Sequence, residues 1–338
     1  MRVLSYMFRL MQWAVATYDT AFGYVSAHGA PLLDLLDPQP DERVIDLGCG
    51  TGVMTIEIAA RGAEVLGLDG SLEMVNAARS EHPHLSFAVG DAHTFTTSER
   101  YDAVFSNSAL HWMARDPSAV ISRVHAALRP GGRFVAEMGG AGNCAELIAA
   151  VQTAWRVFGL PEPELPWYFP TPAEYATRLE EAGFVVRLME YFDRPTRLAD
   201  GPDGAADWVR LFAPELIAEV PPEIAGPLLD RVNELAAPAL RRESGWMADY
   251  VRLRFAAVRK PGGDELVQPP APHAPPTPNV PPAPHAPPPP HVPPAPHAPP
   301  PPHVPPAPHA PPPPHVPPAP DSPQVHHHAP HVPSDLQA

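Results

Sequence analysis

Val44-Ile45-Asp46-Leu47-Gly48-Cys49-Gly50-Thr51-Gly52 is the most informative stretch of the chain. A short β-branched run meets an acid, and three alternating glycines follow. An apolar run of this length predicts a buried strand. Glycines directly after it permit a tight turn and let a ligand lie against the backbone with no Cβ in the way. Met54, Ile56, Ile58 and Ala59 continue as a helix whose first N–H groups face the same spot. The pattern is a strand, a glycine turn and a helix around a nucleotide. It disfavours a dinucleotide, because the fingerprint G-x-G-x-x-G would place its third glycine where Val53 stands.

Strand and helix signals alternate outward from this stretch, from Arg43 to Met138. Strands are expected at Val44–Leu47, Glu64–Leu68, Leu85–Val89, Tyr101–Phe105 and Phe134–Met138. The first helix is Val53–Arg61, and Ser71 reads as the N-cap of the second. Asp116-Pro117 reads as N-cap plus first-turn proline of a helix with Val120, Ile121, Val124, Ala127 and Leu128 on one face. That helix must stop at Arg129-Pro130-Gly131-Gly132. His125 lies beside the apolar stripe and is expected in solvent. Repeated strand–helix units imply an α/β fold, with a parallel sheet covered on both faces.

The pattern loosens further on. Asn143–Phe158 reads as helical, and Thr171-Pro172-Ala173-Glu174 as a capping box whose helix ends at Gly183. Phe184–Phe192 and Tyr250–Val258 read as two late strands. Residues 200–242 are expected to be helical but broken by prolines, with Trp208 and Phe212 one turn apart.

Of the 52 prolines, 33 lie at or after Pro269, as do 11 of the 17 histidines. His273–Pro320 is four copies of a 12-residue unit of the type H-A-P-P-P-P-H-V-P-P-A-P. Such density excludes helix and sheet and favours polyproline II, so this tail is expected to be disordered. It reads as a solvated spacer, with a protein-binding arm as the alternative. His326-His327-His328 lacks the fixed geometry of a metal site, and none is expected. The tail carries two of the 38 acids and none of the 23 bases, so nearly all of the net charge of −15 sits on the body. That disfavours nucleic acid and anionic membranes as partners. Cys49 and Cys144 read as small, reduced, buried residues. With no apolar run long enough for a membrane span and no convincing signal peptide, a cytoplasmic protein is the default.

The glycine turn with Asp46 resembles motif I of the class I S-adenosylmethionine-dependent methyltransferases. Asp69 after the second strand, Gly90-Asp91-Ala92-His93 after the third, Ser106–Trp112 after the fourth and Leu128–Gly132 before the fifth follow in that family's order. The segment from Tyr18-Asp19 to Val25 and the stretch Asn107–Met113 are more specifically similar to the trans-aconitate methyltransferase group, whose relatives methylate carboxyls of small acids or acyl-carrier thioesters. Glu137–Asn143 departs from that enzyme's pattern.

The resemblance implies a doubly wound, seven-stranded, mostly parallel Rossmann-like sheet with a helical lid. It divides the chain into a leader at 1–10, a cofactor-binding core at 11–142, a lid with a late strand at 143–247, a last strand at 248–260 and the tail at 261–338. It implies S-adenosylmethionine as cofactor, held by Tyr18, Asp46, Gly48, Cys49, Gly50, Gly52, Asp69, Gly70, Asp91, Ala92 and Asn107. In the family, Asp69 takes the ribose hydroxyls, Asp91 with the Ala92 N–H takes the adenine, and Tyr18 closes over the cofactor.

His111 and Trp112 face the acceptor in this reading. His111 is the candidate base, with a structural or positioning role as the alternative, and Trp112 is a candidate for packing or for a cation–π contact with the sulfonium. Asp46 has a second reading as the acid that holds its own turn together. The partner implied is a small-molecule acceptor, a carboxylate first, with nitrogen, carbon or a hydroxyl as the alternative methylated atom. A carboxylate acceptor needs no base; a hydroxyl or carbon acid does. A methyltransferase fold without turnover, recruiting partners through the tail, is the reading from a different class.

Overall fold

The computed structural model describes residues 29–198 and 204–261. A helix over 29–36 (α1) leads into β1 (Arg43–Leu47), α2 (Val53–Ala60), β2 (Glu64–Asp69), α3 (Leu72–Glu81) and β3 (Ser86–Val89). Then come β4 (Tyr101–Asn107), a 3₁₀ turn at Leu110–Trp112, α4 (Pro117–Ala127), β5 (Leu128–Gly139) and α5 (Ala145–Val157). The last elements are α6 (Pro172–Glu181), β6 (Phe184–Arg197), α7 (Gly204–Phe212), α8 (Pro214–Ala218), α9 (Pro222–Leu240), β7 (Arg241–Arg242) and β8 (Gly245–Arg259).

The main sheet runs β3-β2-β1-β4-β5-β8-β6. The first five strands pair in parallel, and β8 enters antiparallel between β5 and β6. The seven-stranded, mostly parallel doubly wound sheet expected from the sequence is therefore present, with β7 a two-residue side pairing on β8. Strand order reverses between β1 and β4, so the crevice outside their carboxyl ends is the topological switch point where such sheets bind ligands.

The caps form where short polar side chains precede the helices. Ser71 accepts from the Met74 N–H at 3.2 Å, Asp116 from Ala119 at 3.0 Å and Thr171 from Glu174 at 3.2 Å. Each relieves one of the unpaired first-turn donors. Gly183, at φ +92, ends α6.

Two sequence expectations change. Pro214 and Pro221-Pro222 do break the late helices, but Pro227 and Pro238 lie inside α9. Both are exposed, as are Glu223 and Glu234 four residues earlier, so the carbonyls these prolines leave unpaired face water. Leu228, Leu229, Val232, Ala236 and Leu240 bury the opposite face and hold the helix together. His125 is half-buried rather than solvated, its ring edge-on to Phe184 with centroids 5.3 Å apart.

One core packs α4 and α6 against the sheet through Ile121, Val124, Tyr175, Leu179, Phe134 and Phe255. On the other face, α1 and α2 cover β1, β4 and β5. A separate core joins α5, α7, α8 and α9 to the start of β8 through Trp246, Ala248 and Tyr250. The parity of buried residues along β8 switches between Arg252 and Leu253. Before the switch the even positions Trp246, Ala248 and Tyr250 pack with α5, α7, α8 and α9; after it the odd positions Leu253, Phe255 and Ala257 pack in the sheet core.

Candidate functional site

The glycine turn leaves β1 and crosses onto β2, the Gly48 and Cys49 N–H groups both donating to the Leu68 carbonyl. Gly48, Gly50 and Gly52 all have positive φ, at 75, 54 and 88°. Their surroundings differ. A Cβ on Gly48 would overlap the Ala109 methyl, and one on Gly52 would lie 2.8 Å from the Phe87 ring. Among the described residues, a Cβ on Gly50 would meet nothing within 4 Å, and the same holds for Gly70 after β2. Two glycines are thus demanded by packing, and the other two border open space.

Asp69, at the end of β2, lies between those open glycines. Its Oδ2 accepts from the Gly50 N–H at 2.9 Å and its Oδ1 from Ser71 at 2.8 Å. Burial pushes its carboxyl up, with these backbone donors opposing. Each oxygen keeps a lone pair after one bond, so the group can still accept from a pair of hydroxyls. Asp46 is buried (2% exposed) and accepts from the Thr55 hydroxyl at 2.7 Å. Desolvation pushes it up to about 7, Thr55 opposing and the Asp69 charge adding to the rise. The Cys49 thiol is pushed far up by burial and by the charges of Asp46 and Asp69, so it is not a nucleophile.

Asp91 is engaged in a way the sequence did not signal. Arg115 donates to Oδ2 at 2.8 Å, and the His93 backbone and ring meet Oδ1 at 2.9 and 2.7 Å. Burial raises this carboxyl, but those donors outweigh it and hold it at about 2. Ala92 is buried beside it. Asn107 ends β4 with its amide 3.6 Å from where a Gly29 Cβ would stand. Asp46, Gly50, Asp69, Gly70 and Asn107 therefore sit at the carboxyl ends of β1, β2 and β4. Tyr18 lies outside the described residues, as do residues 1–10 and the repeat tail.

His111 is buried in the 3₁₀ turn after β4. Its Nδ1 accepts from the Gly139 N–H at 3.4 Å, which leaves the proton on Nε2. Desolvation and the Arg252 charge push it down to about 3, so the ring is neutral at physiological pH. Phe169 and Trp112 flank it at 5.8 and 5.5 Å between ring centroids. Trp167 stacks on Phe169 and meets Trp112 edge-on, and Trp208 of α7 continues the chain of rings.

A cluster that sequence reading passed over lies beside this turn. Glu137 of β5 is 1% exposed. It accepts from Arg194 at 2.5 and 2.9 Å, Arg254 at 3.0 and 2.8 Å and Arg252 at 3.3 Å. Burial raises its carboxyl, and the three guanidiniums bring it below its ordinary value. In the sequence Arg252 and Arg254 simply alternate with Val251, Leu253 and Phe255; their convergence on Glu137 depends on β8 lying beside β5. Among the described residues, no group of three or more His, Cys, Asp or Glu side chains could hold a metal ion, and no helix is long and apolar enough to cross a membrane.

A glycine turn and a carboxylate on adjacent parallel strands, at the switch point of a doubly wound sheet, define a Rossmann-like domain built for a nucleoside cofactor. Residues 44–132 match the methyltransferase domain family. Over 259 residues the chain is 31% identical to an uncharacterised methyltransferase of Schizosaccharomyces pombe, covering 73% of this chain and 98% of that protein. An uncharacterised methyltransferase of Mycobacterium tuberculosis is 37% identical over 250 residues, covering 67% of this chain and 87% of that one. A trans-aconitate 2-methyltransferase of Methylobacterium radiotolerans is 36% identical over 131 residues, 38% of this chain and 50% of that protein's length. The chain belongs to the S-adenosylmethionine-dependent methyltransferases.

Proposed function

We propose that the acceptor is a small organic acid and that a carboxylate oxygen takes the methyl group. The observation that carries this reading is the state of His111. A general base works best with a pKa near the operating pH. His111 is held at about 3, with Nδ1 already accepting from Gly139. It is a poor proton acceptor, and a carboxylate, already ionised, requires none. The trans-aconitate methyltransferase similarity points the same way over part of the chain.

The cofactor-side residues divide the work of positioning. Asp69 receives the ribose hydroxyls between Gly50 and Gly70, Asp91 with Ala92 receives the adenine, and Asn107 borders the methionine end. Asp46 keeps the turn in place through Thr55. S-adenosylmethionine held there would supply an electrophilic methyl group on sulfur, and its transfer to a carboxylate oxygen would return the S–CH₃ electron pair to sulfur and require no proton transfer. The protonated Nε2 of His111 can donate to the acceptor, and Trp112, Trp167 and Phe169 exclude water.

The test is a screen of small-acid pools with labelled S-adenosylmethionine and mass identification of the product, run on the wild type and His111→Ala. Esters as products, with His111→Ala retaining turnover within about tenfold, are expected of a positioning residue. Methylated amines, alcohols or carbons, or loss of turnover by more than about a thousandfold, would refute the reading.

A further inference from the structure

We propose that Ser108 is a positioning residue for the methyl donor: braced by Arg252, its hydroxyl orients the Asn107 side-chain amide toward the cofactor. This rests on the placement of Asn107 at the methionine end given above.

Ser108 has φ +58. Left-handed backbone crowds the Cβ of an L residue, and glycine, asparagine and aspartate adopt it most readily. Asp37 and Asp41, also at positive φ, are of that kind, and a serine is not. Such conformations persist where the surroundings over-determine them, and they gather at functional sites. Here the Ser108 N–H donates to the Glu137 carbonyl at 2.8 Å, and Arg252 Nη2 donates to the Ser108 hydroxyl at 2.6 Å. The next residue, Ala109, then packs on the cofactor turn, its methyl filling the space a Gly48 Cβ would need.

The brace is itself fixed. Arg252 is 9% exposed, and its Nε donates to Glu137 at 3.3 Å. Arg194 and Arg254 hold Glu137 from β6 and from further along β8. A hydroxyl that accepts from a guanidinium turns its single proton elsewhere and becomes a stronger donor. Among the described residues that proton meets Asn107 Oδ1, at 3.4 Å. The separation is long for such a bond, so the hydroxyl steers the amide and does not lock it.

An amide whose oxygen faces Ser108 turns its Nδ2 the other way. Among the described residues that nitrogen makes no hydrogen bond, and it lies 3.6 Å from where a Gly29 Cβ would stand, at the carboxyl end of β4. It presents N–H donors to the carboxylate at the methionine end of the cofactor. Flipped, the same amide would present an acceptor to that carboxylate. Ser108 decides between the two.

Calorimetric titration of the full chain with S-adenosylhomocysteine, with melting temperatures measured alongside, tests this on Ser108→Gly, Ser108→Ala, Asn107→Ala, and Ser108→Gly combined with Asn107→Ala. Both Ser108 variants lack the hydroxyl, but only glycine accepts the left-handed backbone without strain. The glycine variant should melt higher than the alanine variant, while both bind about fivefold more weakly than wild type, the scale of one hydrogen bond. Asn107→Ala should lose at least about tenfold, the scale of a bond to a charged group. Because Ser108 acts through the amide, the combined variant should match Asn107→Ala within about twofold, short of the roughly fiftyfold loss of independent effects. Wild-type affinity in Ser108→Gly overturns the proposal, since the serine would then serve only the backbone, and this holds even if Ser108→Ala does not fold. A combined loss equal to the product of the two single losses overturns it as well. Wild-type affinity in Asn107→Ala would reject the placement of Asn107 at the methionine end and this proposal with it.

Discussion

Replacing Gly50 with alanine should separate cofactor binding from folding. Gly50 has φ +54, in the left-handed region, and a Cβ there meets no atom of the described residues within 4 Å. The folding cost is therefore backbone strain alone, about 1–2 kcal/mol. For a domain of this size that is a fall in melting temperature of roughly 2–8 °C. The Gly50 N–H is held by Asp69 at 2.9 Å, and the new methyl enters the open space beside that contact, where the cofactor is proposed to lie. Overpacking of one methyl costs about 1–3 kcal/mol, a weakening of S-adenosylmethionine binding of about 5- to 150-fold. Two glycines calibrate the comparison. Gly131, at φ +79 and also free of neighbours within 4 Å, sits at the opposite end of the sheet. Its alanine variant should show a similar stability loss with unchanged binding. Gly48→Ala, whose Cβ would overlap Ala109, should lose stability beyond strain alone. Isothermal calorimetry and thermal melting on the four proteins give both quantities. Binding by Gly50→Ala within about twofold of wild type would show that the ligand does not approach this turn.

Burial lifts the Asp46 carboxyl to about 7 from an ordinary value near 4, so the folded state favours its protonated form. Its contribution is full at low pH and is lost as pH rises from about 4 through about 7. Asp46→Asn, which can still accept from Thr55, should match wild type near pH 4 and melt higher at pH 8; the same difference at both pH values would contradict the buried-carboxyl account. For His111 the direction is reversed. Its folded pKa lies below its unfolded one, so the protein should lose stability as pH falls from about 6.5 toward 3. His111→Gln should flatten that part of a melting-temperature profile, and an unchanged slope would reject the assignment. Asp69→Ala should abolish detectable S-adenosylmethionine binding in calorimetry, since it removes the acceptor between Gly50 and Gly70. Deletion of residues 269–338 should leave methyl transfer intact, and loss of turnover would give the tail a part in the reaction.

The cofactor half was legible because its signals are local. Glycine spacing, strand-end acids and caps such as Ser71, Asp116 and Thr171 each act within a few residues of themselves. The acceptor half was not. Pro227 and Pro238 read as helix breakers, and only the direction of their faces in α9 shows why they are tolerated. Arg115 reaching Asp91, and three arginines meeting Glu137, join residues 24 to 117 positions apart.

By itself, the sequence determined the alternating strands and helices, the glycine turn and the acids placed around it, because period and backbone freedom are properties of neighbouring residues. Tertiary structure decided which glycines face open space, that His111 is buried and neutral, and that β8 inserts between β5 and β6 to bring Arg252 to the end of β4. Those are consequences of desolvation and of strand order, and both exist only once distant segments are packed together.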